Sequence, residues 1–139
     1  SVTSDFIIGY PGETDDYFQE TCDLIKNVGF DDGYSFIYSK RPGTPASFEA
    51  DNVTPEEKKK RLSKVQELIR NNSEMYLSRL VDSDQEVLVE GVSKKNNDEL
   101  FGRTNTNKMV HFKAPKDLIG KCINLYISKA NRSSLVGIY

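Results

Sequence analysis

Apolar and polar positions alternate in three different ways along the 139-residue chain. Residues 5–10 form a short apolar run that stops at a Pro-Gly pair, which is typical of a buried parallel strand. Residues 15–28 then place apolar side chains at helical spacing, between acidic residues that favour a helix start and a glycine that can end one. A second apolar run follows at 34–38. Strand, helix and strand with short links predict a right-handed parallel βαβ unit.

Two parallel strands do not make a stable sheet by themselves, because both faces of a parallel sheet need cover. We therefore expect most of this sheet to come from residues before Ser1 or from another chain. The sequence has no initiator Met and enters an apolar strand almost at once, which also indicates a start inside a larger polypeptide. Unpaired strand edges make a dimer or a strand swap of such a fragment a further expectation.

Residues 54–80 predict one long helix. Its start combines a Thr N-cap, a proline at the first helical position and a capping-box glutamate. Apolar residues keep to one face of this helix, namely Leu62, Val65, Ile69, Tyr76 and Leu80. The basic run at 58–61 is interpreted as a solvated face, with a phosphate contact as the alternative. Unbroken, the helix would span about 40 Å, a length that suits a connector between domains.

The remaining residues, 81–139, contain five short alternating runs: 85–90, 100–104, 108–112, 122–128 and 134–138. Five such strands separated by polar loops predict a closed or nearly closed barrel of the OB type. Basic residues surround its first three loops, and we predict that they bind RNA: Lys94, Lys95, Arg103, Lys108 and Lys113. Contacts from cations to phosphates, with aromatic rings stacked on bases, are typical of such sites. Phe101 and Phe112 could stack in this way, although barrel core is the simpler interpretation of each.

Charge separates the same regions. Residues 1–75 carry 9 Lys and Arg against 14 Asp and Glu, whereas residues 76–139 carry 10 against 7. The basic half is therefore a candidate for binding nucleic acid. No apolar run approaches the roughly 18 residues of a membrane span, and the N-terminus lacks a signal-peptide pattern. These features predict a cytoplasmic protein that has no membrane partner.

Cysteine and histidine are too scarce to suggest a metal site or a nucleophilic pair. Cys22 and Cys122 lie far apart in sequence among apolar neighbours, and His111 is the single histidine. We predict that both thiols are buried in a reducing compartment. No catalytic residue and no metal ligand is predicted in this chain. One alternative is a small complete enzyme that uses the paired carboxylates Glu13 and Asp15, which would require a formed pocket.

Four ordered strings resemble the radical-SAM methylthiotransferases. DFIIGYPGET at 5–14 resembles their fifth-strand segment, and SFIYS with RPGTPA at 35–46 resembles their sixth. VLVEG and SKK within 87–95, followed by LFGRT at 100–104, look like the TRAM module that closes the family. The RPGTP string and the compact module are more similar to the tRNA-directed MiaB branch than to the ribosomal-protein-directed RimO branch.

The resemblance implies three parts. Residues 1–53 would be the last two strands and intervening helix of a radical-SAM partial (β/α) barrel, 54–80 a connecting helix, and 81–139 a TRAM β-barrel. The full enzyme would use S-adenosylmethionine and two 4Fe-4S clusters to add a methylthio group to an N6-dimethylallyladenosine beside the tRNA anticodon. The family's CxxxCxxC motif is absent from this sequence, so we expect the chain alone to be inactive. Its partners would be a tRNA anticodon arm and the missing N-terminal part.

The resemblance also implies positions for individual residues. Ile8, Gly9 and Glu13 would lie near S-adenosylmethionine, and Arg41 would point toward substrate, where it could clamp a phosphate or carboxylate or simply face water. Glycine lets a backbone approach a ligand at the carboxyl end of a strand, but Pro11-Gly12 is equally well interpreted as a plain strand-to-helix turn. The alternative function is a freestanding RNA-binding adaptor in which residues 1–80 only dock a partner.

Overall fold

The computed structural model describes residues 1–94 and 96–139, which form two compact units, Ser1–Ser73 and Glu74–Tyr139. The boundary between the units falls inside the second helix. Along the described residues the helices and strands are β1 (Thr3–Ile8), α1 (Asp15–Val28), β2 (Asp32–Ile37), α2 (Pro55–Arg79), β3 (Asp84–Val92), β4 (Leu100–Thr104), β5 (Met109–Phe112), β6 (Cys122–Ala130) and β7 (Leu135–Ile138). Short 3-10 turns at Pro45–Phe48 and Lys116–Leu118 complete the order.

In the first unit, β1 and β2 pair in parallel from Thr3↔Asp32 to Ile8↔Ile37, which confirms the predicted strand–helix–strand unit. Local chemistry explains the bounds of α1. The Thr14 hydroxyl accepts a hydrogen bond from the Tyr17 N–H at 3.2 Å, and Gly29 ends the helix in the left-handed conformation. Both are standard ways to satisfy the free backbone groups of a helix end.

The core of the first unit lies on one side of this two-stranded sheet. Phe30 and apolar side chains from three elements fill it. Those from β1, α1 and α2 are Phe6, Ile8, Cys22, Ile25, Val65 and Ile69. The opposite face of the sheet carries large apolar groups that are exposed, namely Ile7, Tyr34 and Phe36. One face of the sheet is therefore covered by α1 and α2, and the other is open within this unit.

The second unit is a closed barrel with strand order β3-β4-β5-β7-β6, as β6 returns to pair with β3. Its strands pair antiparallel except for the parallel contact of β5 with β7. The predicted five-stranded closed barrel is thus confirmed. Phe112 is buried in the barrel core, as the simpler interpretation predicted, whereas Phe101 is half-buried. Leu77, near the end of α2, also enters this core.

Two predictions about burial need correction. Cys22 is buried, and burial raises the pKa of its thiol, but Cys122 is exposed. Side chains alternate between the two faces of β6, and Leu125 and Ile127 point into the barrel. Cys122 is an odd number of positions from both, so its side chain points outward.

The basic run at the start of α2 was predicted to be a solvated face, and that holds for only half of it. Lys59 and Lys60 are exposed, but Lys58 and Arg61 are buried. At helical spacing these two residues share a face with the buried Val65, which explains why they turn inward.

Candidate ligand and nucleic-acid sites

The loop between β1 and α1, residues 9–14, is built around a tight turn. The Glu13 N–H donates to the Tyr10 carbonyl at 2.9 Å, with Pro11-Gly12 between them and a φ of 81° at Gly12. Proline followed by a glycine with positive φ is the pattern of a type II turn. Pro11-Gly12 is therefore a structural turn, whatever the loop binds.

Arg61 of α2 links this loop to the rest of the first unit. Its Nη1 lies 2.8 Å from Glu13 Oε2 and 3.0 Å from the Glu13 carbonyl oxygen, and the same Oε2 accepts from the Gly9 N–H at 2.9 Å. Only 5% of the Arg61 side chain and 9% of the Glu13 side chain are exposed. Sequence reasoning missed Arg61, although its helical spacing from Val65 was a usable signal.

Two further carboxylates meet the same guanidinium. Asp15 Oδ1 lies 2.6 Å from Nη2, and Glu57 Oε1 lies 3.3 Å from Nε. Burial lowers the pKa of Arg61, but the hydrogen bonds to Glu13, Asp15 and Glu57 outweigh it, so the pKa is raised and the charge is held. A groove of about 1030 Å³ runs beside these groups. Because Arg61 binds both Glu13 and Asp15, the arrangement weighs against a two-carboxylate enzyme site there.

Gly9 has a steric reason to be glycine. Its φ is 71°, and a Cβ added there would lie 2.5 Å from Cγ of Lys58. The buried Lys58 chain passes over this point, and its ammonium pairs with Asp51, whose pKa is lowered mainly by that hydrogen bond. The Lys58 ammonium also lies 5.9 Å from the centroid of the Tyr38 ring. The glycine is thus required by packing as well as by backbone conformation.

A groove of about 610 Å³ lies against the open face of the sheet, where both strands end. Ile7, Tyr10, Phe36, Tyr38 and Arg41 are among its lining residues, so the structure places Arg41 at this groove. The Tyr38 hydroxyl is buried and has no hydrogen-bond partner among the residues that the structure describes.

The residues predicted near S-adenosylmethionine lie at the end of β1 and in the loop that follows it, and all three contact α2 or the core beneath it. The Ile8 side chain is fully buried in the core on the helix-covered side. Gly9 and Glu13 come together in the adjoining loop through their hydrogen bond. At Ile8, therefore, the backbone can approach a ligand but the buried side chain cannot.

A third groove, of about 620 Å³, opens at one end of the barrel in the second unit. It lies between the β3–β4 loop and the β6–β7 loop, the position where OB barrels bind oligonucleotides. Residues from those loops and from the ends of β5 and β7 line it, including Ser93, His111, Lys113, Asn131 and Tyr139. Lys113 is exposed at this groove, and the exposed Lys94 adjoins Ser93.

The other predicted RNA-binding residues lie elsewhere. Arg103, next to the β4–β5 loop, contacts Glu90 Oε1 at 3.3 Å and Asn107 Oδ1 at 3.2 Å. Lys108 is buried, with its ammonium 5.0 Å from the centroid of the Tyr76 ring. Lys95 lies outside the described residues. The basic residues that sequence grouped together are thus divided between the two ends of the barrel.

Within residues 1–94 and 96–139, no group of three or more His, Cys, Asp or Glu side chains could hold a metal ion. In the same residues, neither helix is long and apolar enough to cross a bilayer.

Comparison with known proteins gives consistent matches. The TRAM domain family model matches residues 79–138, which contain all five barrel strands. Proteins named tRNA-2-methylthio-N(6)-dimethylallyladenosine synthase match nearly the whole chain. The protein of Buchnera aphidicola subsp. Baizongia pistaciae is 56% identical over 138 residues, and that of Vesicomyosocius okutanii is 48% identical over 137. That of Francisella tularensis subsp. novicida is 44% identical over 137.

Each of these alignments covers 99% of this chain and 31% of the relative. The chain thus spans about a third of the length of the curated relatives it matches. Because these alignments cover nearly the whole chain, the similarity extends into the first unit, which the TRAM match does not reach. Residues 79–138 are therefore a TRAM domain, and nearly the whole chain is similar to about a third of the tRNA-2-methylthio-N(6)-dimethylallyladenosine synthases of these organisms.

Proposed function

We propose that this chain is the C-terminal part of a radical-SAM methylthiotransferase that adds a methylthio group to N6-dimethylallyladenosine beside the tRNA anticodon. The observation that carries the proposal is identity of 44–56% across both units to relatives with that enzyme name. A freestanding TRAM adaptor is the weaker alternative, because it gives no reason for the first unit to be so similar. Cytoplasmic location remains part of the proposal.

The first unit would be the end of the radical-SAM barrel, and its open sheet face would look into the barrel. Parallel strands covered by helices on one side, with Ile7, Tyr34 and Phe36 exposed on the other, support this assignment. The groove fits S-adenosylmethionine chemically. Tyr10 and Phe36 offer apolar surface to a nucleoside, Arg41 can pair with a carboxylate, and the Tyr38 hydroxyl has an unused hydrogen-bonding group.

S-adenosylmethionine, when bound, supplies the radical chemistry that an unactivated C–H bond requires. The ligands of the two 4Fe-4S clusters would come from the part of the enzyme outside this sequence, which contains only Cys22 and Cys122. The residues of this chain would bind and orient: Arg41 the carboxylate or a phosphate, and the 9–14 loop the nucleoside.

A complete gene encoding this chain should restore methylthiolation in a bacterial strain that lacks the activity. We expect mass spectrometry of digested tRNA to show the 2-methylthio nucleoside with the complete gene and not with residues 1–139 alone. A parent gene without a CxxxCxxC motif upstream of this segment, or with an open reading frame that starts at Ser1, would contradict the enzyme and favour the adaptor.

The second unit would hold single-stranded RNA of the anticodon arm in the groove at the end of the barrel. Lys94 and Lys113 are the exposed cations there, and Lys95 remains a predicted contact. Arg103, already paired with Glu90, would make a weaker phosphate contact at the opposite end. We assign Lys108 instead to packing against the Tyr76 ring, because a buried ammonium is poorly accessible to an RNA phosphate.

Replacing Lys94 and Lys113 together by Ala should weaken binding of a labelled anticodon stem-loop about tenfold at low salt. Loss of two phosphate contacts on single-stranded RNA should also flatten the slope of log K against log salt by about 1.4. Fluorescence anisotropy across a salt series measures both. The matched control is Lys59→Ala with Lys60→Ala, which removes the same charge from the exposed face of α2. Equal losses in both double variants would mean that only net charge matters, and no binding by the unmodified chain at low salt would remove the RNA-binding role.

A further inference from the structure

We infer that Arg61 is a positioning residue that sets the backbone of the 9–14 loop for binding S-adenosylmethionine. The inference rests on the proposed function, because that function places this loop beside the nucleoside. It concerns a residue outside both the loop and the groove of about 610 Å³, since Arg61 lies on α2, 48 positions after Glu13.

The contacts form a chain across the loop. Nη1 of Arg61 binds the carboxylate and the carbonyl oxygen of Glu13 at once, so both the side chain and the main chain of that residue are fixed. The carboxylate then accepts the N–H of Gly9 at the start of the loop. One guanidinium therefore holds the two ends of the turn together, directly at Glu13 and through Glu13 at Gly9.

These hydrogen bonds lie between buried groups, so neither partner can exchange the other freely for water. The ionised pair has given up most of its hydration, and the ring of Phe18 covers the guanidinium, with 5.3 Å from Cζ to the ring centroid. A buried ion pair of this kind often adds little stability compared with apolar packing, so a role in fixing conformation is the hypothesis that suits it best. The planar fork of arginine can hold several acceptors in set directions, which a lysine ammonium cannot do.

Lys58, one turn before Arg61, supports the same loop from another side. Its aliphatic chain occupies the space where a side chain at residue 9 would lie. The left-handed Gly9 and the Glu13 turn are thus both held by α2 without a ligand. A loop ordered in advance loses less conformational entropy on binding, which strengthens affinity.

The test uses the complete enzyme that contains this chain, with Arg61→Lys, Glu13→Gln and the double variant. Lysine keeps the charge, and glutamine keeps an acceptor for the Gly9 N–H, so both variants are conservative. We expect each single variant to weaken S-adenosylmethionine binding about tenfold, as measured by equilibrium dialysis, because the loop is displaced. Hydrogen exchange at residues 9–14 should become faster, while affinity for tRNA stays unchanged. Arg70→Lys, at an exposed position of the same helix, is the control and should change none of these.

The outcomes separate this inference from the proposed function. S-adenosylmethionine should slow hydrogen exchange at residues 9–14 in the unmodified enzyme; if it does not, the proposed location of the ligand is wrong and the inference falls with it. If it does, but both single variants bind S-adenosylmethionine with unchanged affinity, the ligand location stands and the role of Arg61 is overturned. A double variant no weaker than the singles would support one shared network. Thermal melting of each variant shows whether it is folded. If one single variant is unfolded, the S-adenosylmethionine affinity of the other single variant tests the role of Arg61.

Discussion

Gly102→Ala is expected to unfold the barrel, or to lower its free energy of unfolding by about 3 kcal/mol or more. Gly102 is buried in β4, and a Cβ there would lie 2.3 Å from the carbonyl oxygen of Leu88 and 2.7 Å from Cγ1 of Val87. The first of these atoms is backbone. Because β3 is also hydrogen-bonded to β6 on its other side, it cannot move away without opening the closed barrel.

Urea unfolding followed by circular dichroism measures this effect, with hydrogen exchange of β3 to β7 assigning the transition to the barrel. Gly91→Ala is the matched control, because its Cβ would meet only the edge of the Phe101 ring at 3.3 Å. That ring can shift by a few tenths of an ångström, so we expect a loss of about 1 kcal/mol or less. Similar losses for the two variants would mean that β4 does not lie between its neighbours as the closed barrel requires.

The fold was largely predictable because its signals are local. The bounds of α1 were predicted without error, since Thr14 and Gly29 mark both ends chemically. The barrel followed from five alternating runs and the turns between them. The start of β2 was predicted two residues late, because its first residues, Asp32 and Gly33, carry no apolar signal although they pair with β1. Strand ends are set by the partner strand, which a local pattern does not contain.

The candidate sites were harder to predict because they depend on distant contacts. The residues next to Arg61 in sequence do not predict its hydrogen bond to Glu13, which lies 48 positions earlier. The lysines around it instead favoured the interpretation that this face of the helix is exposed to solvent. The division of the predicted RNA-binding residues between the two ends of the barrel was, in contrast, available from topology. Successive loops of an antiparallel barrel lie at opposite ends, so the β3–β4 loop beside Lys94 and the β4–β5 loop beside Arg103 could not meet. The sequence prediction grouped these residues by the order of the loops along the chain, which does not give their positions in space.

Arg61→Met should destabilise the first unit by about 3 kcal/mol or more, which is the usual result of removing one partner of a buried ion pair. Methionine has a similar length and packs well, so the loss comes from leaving Glu13 buried without its cation. This change differs from Arg61→Lys, which keeps the charge and tests the geometry of the loop.

A second substitution identifies the source of the loss. Glutamine at position 13 removes the buried negative charge but can still accept the Gly9 N–H, so Arg61→Met with Glu13→Gln should recover about 1–2 kcal/mol relative to Arg61→Met alone. Asp15→Asn is the control, because the Asp15 side chain is 90% exposed and an exposed pair contributes at most about 1 kcal/mol. Urea unfolding of the unmodified protein, Arg61→Met, Glu13→Gln and the double variant measures the coupling. Additive losses in the double variant would show that Arg61 and Glu13 stabilise the unit independently, and the carboxylate would then need another partner to explain its burial.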